Sequence, residues 1–208
     1  MFSTLANELS AFMEVSKLYI YPWLISLLCL WGINVINWLF LGSHLNILGI
    51  YPRSIFGLLG IIFSPIFHHN FSHLFFNSIP LFVLGLVILS RGFKIFYTAT
   101  LIITLLGGLL VWLFGRRAIH IGASGLISGY FGFIIITAYS NPSFVTLLSA
   151  VLVLYYFGSI FLGIFPQEEQ ISWESHLFGF LAGIAAGFLQ IPEYKDFVIN
   201  LVCAVYCF

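Results

Sequence analysis

Four side chains equipped for acyl chemistry stand at the edges of otherwise apolar stretches: His73, Asn77, Ser124 and His176. Ser124 lies in Gly122-Ala123-Ser124-Gly125, directly after a polar loop and at the predicted start of a helix. The backbone N–H groups of a first helical turn have no intrahelical partner, and the helix dipole is positive there. That setting favours the oxyanion formed when a serine attacks a carbonyl, and Gly125 leaves room for a substrate backbone. The same string also reads as an ordinary N-cap between glycines. A serine hydroxyl is a poor nucleophile without a base, and His176 is the candidate. It precedes Gly179, Gly183 and Gly187, which recur every four residues, as Gly125 and Gly129 do after Ser124. Small residues at that spacing let helices approach closely in lipid, which is also their plain packing role. His73 and Asn77, four apart, share a helix face. Both can donate hydrogen bonds, which suits oxyanion stabilisation better than base work, or simple polar contact between helices.

A metal reading fits less well. His69 and His73 have the spacing of the zinc motif H-E-x-x-H, but Asn70 follows His69 and the general base is missing. Neither a metal nor a cofactor is expected. Cys29, Cys203 and Cys207 lie in apolar runs without redox or ligand spacing and read as small hydrophobes.

The elements that must position these groups follow from composition. Of the 208 residues 61% are hydrophobic and 7% charged, with a mean hydropathy of +1.10, against roughly 25% charged in a soluble domain. The bilayer is the solvent such a chain requires. Seven basic residues balance seven acidic ones, so no basic face for nucleic acid is expected. A spanning helix needs about 20 apolar residues, and six are predicted: 20–41, 72–90, 94–114, 122–139, 144–165 and 174–190. Residues 42–71, rich in Gly, Pro and His, read as a large first loop, with Ile55–Phe67 too short to span and suited to a re-entrant position. The predicted organisation is a short cytoplasmic or interfacial segment (1–19), a six-helix all-α bundle (20–190) and an apolar tail (191–208) at the interface or as a partial seventh helix. No cleavable signal is expected, because the first run is long enough to stay as a span. Lys17, Arg91, Lys94 and Lys195 on one side against Arg53, Arg116 and Arg117 on the other place the N-terminus in the cytoplasm, for a plasma-membrane protein. The first, third and fifth spans look nearly free of strongly polar groups. The even-numbered spans all run one way, which delivers His73, Asn77, Ser124 and His176 to one stratum.

Together these residues resemble the rhomboid intramembrane serine proteases, over about residues 20–190. The family pattern His-x-x-x-Asn reads His73 to Asn77, Gly-x-Ser-Gly reads Gly122 to Gly125, and His-x-x-Gly-x-x-x-Gly reads His176, Gly179 and Gly183. The resemblance implies a Ser124–His176 dyad without a third carboxylate, and an oxyanion hole of His73, Asn77 and the Ser124 N–H. It also implies cleavage of transmembrane helices of other proteins near the membrane surface. His68 matches a first-loop histidine often seen in the family, with a structural or water-retaining role. The chain departs in two places. Ser128 stands where well-studied bacterial members stack an aromatic ring on the catalytic histidine, and Tyr51-Pro52-Arg53 occupies the region of a first-loop Trp-Arg pair. The alternatives are a non-catalytic relative that binds transmembrane segments, and a transporter, for which deep charges or inverted repeats would be expected.

Overall fold

The structure, a computed structural model, describes residues 2–162, 165 and 172–190. The predicted tail at 191–208, with Cys203 and Cys207, lies outside the described residues. In lipid a backbone must satisfy its own hydrogen bonds, which favours helices. The chain forms α1 (Phe2–Phe40), α2 (Ile55–Phe63), α3 (Phe71–Leu89), α4 (Phe93–Ile102), α5 (Gly108–Phe114), α6 (Ser124–Ser140), α7 (Phe144–Phe157), α8 (Ser159–Leu162) and α9 (Trp173–Phe188). Among the described residues the only β pairing is an isolated antiparallel bridge, Ile50 to His120.

Among the described residues three helices are long and apolar enough to cross a membrane: Ala6–Phe40, Phe71–Leu89 and Phe93–Phe114. Ser124–Ser140 and Phe144–Phe157 are apolar but shorter. The stretch predicted as one span at 144–165 breaks at Gly158, which ends α7 before the four-residue α8. At the other end, residues 2–19 are helical and form the first half of α1. Ala6 to Lys17 is built from good helix formers without Gly or Pro, and an i,i+3 pair, Lys17 with Glu14 at 2.8 Å, lies along it. The third span holds a π turn, Ile103–Gly107, between α4 and α5. It presents Gly107 to α9 and Gly108 to α2: an added Cβ would lie 3.3 Å from Gly179 Cα and 2.7 Å from the Ile61 side chain.

Helix α6 is the axis of the bundle. Buried residues run round its whole circumference, Tyr130, Phe131 and Phe133 among them, the pattern of a helix enclosed on all sides. Tyr130 bonds Thr100 of α4 at 2.7 Å. At the far end from Ser124, Arg91 bonds Thr137 and lies over the Phe133 ring at 5.9 Å. Helix α9 closes on α6 along its glycines. A methyl on Gly179 would run into the Gly125 carbonyl, one on Gly183 into the Gly129 carbonyl, and one on Gly132 would lie 2.6 Å from the Phe180 carbonyl oxygen. The two backbones are in contact, as the glycine rows predicted.

The first loop is fastened mainly by side chains of the helices to its backbone. Asn34 and Asn37 of α1, both fully buried, correct the expectation that the first span is nearly free of strongly polar groups. Asn34 accepts from the His68 N–H at 2.9 Å and donates to the Ile66 carbonyl at 2.8 Å. Asn37 accepts from the Leu45 N–H at 3.1 Å. Trp38 donates to the His68 carbonyl at 3.0 Å, and Trp112 of α5 to the Ser54 carbonyl at 2.8 Å. The loop's own Arg53 donates to the carbonyls of Leu113 and Gly115 at 3.0 and 2.9 Å. A cation at those last carbonyls of α5 is electrostatically favoured.

Candidate active site

The site is built around the turn that leads into α6. Gly122 has φ +115°, a conformation open to glycine but strained for other residues. Its N–H donates to the Ser64 carbonyl at 2.8 Å. A Cβ here would lie 2.6 Å from the His73 ring and 3.4 Å from Asn77 Nδ2, so both side chains close on this backbone. The Ala123 N–H donates to His68 Nε2 at 3.2 Å. Ser124 follows as the first residue of α6, and Ala123 at the N-cap supplies no side-chain acceptor. The first-turn amides are therefore uncapped by protein side chains there.

His73 and Asn77 sit in the first two turns of α3, whose N-cap Asn70 accepts from the His73 N–H at 2.9 Å. Asn77 is buried, and its Nδ2 has no partner among the described residues. A buried amide donor left unbonded costs about 1–3 kcal/mol, so its aim toward Gly122 calls for a ligand or water. His176 is in the first turn of α9, its N–H donating to the Ser172 carbonyl at 3.3 Å. A Cβ on Gly125 would be 3.1 Å from the Ser175 carbonyl oxygen. The residue after Ser124 thus touches the residue before His176, and His176 is also within electrostatic reach of His73. Gly129 and Gly183 continue the contact one turn further down. All the residues picked out in the sequence lie in this one region. A cavity of about 40 Å³ adjoins it, lined by Ser64, His120, Gly122, Gly125, Ser175 and Gly179 among others, with room for water.

Ser128 is buried and its hydroxyl has no partner among the described residues, and a serine side chain offers no ring to stack from this position. Asn34, His120, Ser172 and Glu174 were missed in the sequence. Polar residues inside apolar runs are a signal of function by default, and that signal was read only for the motif residues.

His68 is fully buried, with Nδ1 3.2 Å from the Ile66 carbonyl and Nε2 accepting from Ala123. This fixes the neutral Nδ1–H tautomer. Burial, then the neighbouring His73, push its pKa down to about 3, with the Ile66 carbonyl opposing and His69 adding a little. A folded-state value below the unfolded one, about 6.5, means stability is fully present above about pH 6.5 and is lost as pH falls toward 3, by at most about 1.4 kcal/mol per pH unit. Thermal midpoints in detergent between pH 7 and 5 should fall with acidification, and His68→Gln should flatten that fall. Equal slopes would show that His68 is not the group responsible.

Apolar helices that gather a serine, histidines and an asparagine at the ends of three of them define a helical integral membrane protein with a polar site at one level. Residues 55–193 match the Rhomboid domain model, and the chain belongs to the rhomboid family. It is 40% identical over 164 residues to uncharacterized proteins of Mycobacterium tuberculosis and Mycobacterium bovis, a match covering 74% of this chain and 68% of each relative. With an uncharacterized protein of Mycobacterium leprae it shares 34% over 148 residues, covering 66% of this chain and 59% of that one.

Proposed function

We propose that this chain is an intramembrane serine endopeptidase that cleaves transmembrane helices of other proteins with a Ser124–His176 dyad. The observation that carries the reading is the backbone contact between the first turns of α6 and α9, Gly125 against Ser175, which Ser124 and His176 flank. In the reaction, Ser124 Oγ attacks the scissile carbonyl carbon while His176 takes the hydroxyl proton. The tetrahedral oxyanion accepts hydrogen bonds from the Ser124 N–H, His73 and Asn77. Collapse breaks the peptide bond, and His176 returns the proton to the leaving amine. Water then hydrolyses the acyl-enzyme by the same exchange, and the adjoining cavity is a place to hold it. The catalytic bundle is one of six spans at residues 20–190, in the plasma membrane with a cytoplasmic N-terminus. Neither metal nor cofactor enters these steps.

Asn77 is the residue whose role is most sharply testable. Asn77→Ala should lower kcat by about 10²–10³-fold with KM little changed, because a preorganised oxyanion donor acts in the transition state. A loss confined to KM would instead make Asn77 a substrate-binding group.

The second reading, a relative that binds transmembrane segments without cutting them, draws on Ser128, which stands where well-studied family members carry an aromatic residue. Incubating the purified protein with a fluorophosphonate probe separates the two. Labelling mapped to Ser124, with cleavage of a fluorescent transmembrane substrate, is the expected result. A folded sample that neither labels nor cleaves favours the binder.

A further inference from the structure

Beside the dyad lies a second polar group that the reaction does not use. Glu174, two residues before His176, is 3% exposed. It is the one acidic residue C-terminal to Glu14 among the described residues, Glu8 and Glu14 both lying in the first half of α1. Its Oε1 accepts from the Arg116 N–H at 3.3 Å and lies 3.5 Å from Arg116 Nε, while its Oε2 has no hydrogen-bond partner among the described residues. His120, four residues before Ser124, is also buried. Its Nε2 lies 3.0 Å from the Arg116 carbonyl, which can only accept, so the ring is an Nε2–H donor there. Its Nδ1 then accepts from the hydroxyl of Ser172 at 2.5 Å. Ser172, four residues before His176, caps α9. Its Oγ accepts from the Ser175 N–H at 3.3 Å and from the Ser175 hydroxyl at 2.7 Å, and its carbonyl accepts from the Ser175 and His176 N–H groups at 3.1 and 3.3 Å. The hydrogen bonds run in one direction without a gap, from the turn of α9 that carries His176 to the loop that leads into Ser124.

Stability does not account for this arrangement. A buried ion pair gains little over apolar packing, and ionisable groups among membrane helices are expensive. The glycine contacts between α6 and α9 bring the backbones together but carry no directional bond through a side chain, and Ser128 offers no ring to hold the imidazole. Directional bonds between the two catalytic segments are supplied by His120 with Ser172 and by Arg116 with Glu174.

We propose that the His120–Ser172 bond, backed by the Arg116–Glu174 pair, is a clamp that sets the separation and rotation of Ser124 relative to His176. It rests on the protease reading. These are positioning residues, since none touches the scissile bond.

The test uses the full chain in detergent, with kcat and KM on a fluorescent transmembrane substrate, the rate of fluorophosphonate labelling and the thermal midpoint measured together. Ser172→Ala and Glu174→Gln should each lower kcat about 10- to 100-fold, the effect of small misplacements of reacting groups, with KM nearly unchanged and labelling slowed in parallel. Glu174→Asp should recover part of the loss. If Glu174→Gln fails to fold, Ser172→Ala carries the test, because it removes one hydroxyl and leaves the ion pair in place. Wild-type kcat and labelling in folded Ser172→Ala, or a loss confined to KM, would overturn the clamp alone. A folded wild-type protein that neither labels nor cleaves would overturn the protease reading and the clamp with it.

Discussion

Ser124→Ala and His176→Ala are each expected to lower kcat by at least about 10⁴-fold, and the double variant should be no worse than the more damaging single one. The reason is that the two groups act in one step. Without the base, the Ser124 hydroxyl is a poor nucleophile; without the hydroxyl, the base has no proton to take. Residual activity should come from the oxyanion donors and substrate binding, so adding Asn77→Ala to Ser124→Ala should lower it further. The measurement is single-turnover cleavage of a fluorescent transmembrane substrate by the four proteins of the cycle. Additive losses would mean that the two residues contribute independently, which a dyad does not.

Gly183→Ala should destabilise the protein by about 3 kcal/mol or more, at the upper end of what overpacking costs. The added methyl would overlap the Gly129 carbonyl oxygen, with the carbonyl carbon at 2.6 Å and the Cα at 2.8 Å. The obstacle is backbone of α6, the most enclosed helix, so no side chain can swing aside. Relief requires α9 to move outward, and His176 moves with it. Activity should therefore fall along with the thermal midpoint. Gly32→Ala is the internal comparison. Nothing lies within 4 Å of its added Cβ, and alanine in a helix is favoured over glycine by roughly 0.5–1 kcal/mol, so that variant should melt slightly higher. Equal midpoints for the two would contradict the packing of α6 on α9.

Much of the helical layout was legible because apolar runs and turn residues are local signals. The run predicted at 72–90 is α3, Phe71–Leu89, and 174–190 covers all but the first residue of α9, Trp173–Phe188. The places of His73, Ser124 and His176 at helix starts follow from the same signals. What escaped was either not apolar or not local. Residues 2–19 carry too many polar groups for a hydropathy reading, yet nothing in them interrupts a helix. Gly158 looked like one glycine within an apolar run, although it ends α7. Asn34 and Asn37 are three apart on one face of α1, but they reach groups of a loop 8 to 34 residues away, the Leu45 and His68 N–H among them, and no spacing encodes that. The clamp is illegible for the same reason, since His120 and Ser172 are separated by 52 residues.

The manner in which the first loop is held has a consequence for how the sequence can drift. Five of its fastenings end on loop main chain: at His68 N–H and the Ile66 carbonyl from Asn34, at the Leu45 N–H from Asn37, at the His68 carbonyl from Trp38, and at the Ser54 carbonyl from Trp112. Main-chain groups are the same whatever side chain they bear. The instructions for placing the loop are thus written largely in α1 and α5 rather than in the loop. Its lipid-facing positions, such as Ile55, Phe56 and Ile62, which are mostly exposed, are free to exchange among apolar residues while the loop keeps its seat beside Ser124. Homologues can therefore diverge in loop sequence and still inherit the same roof over the site, provided the two asparagines and two tryptophans persist.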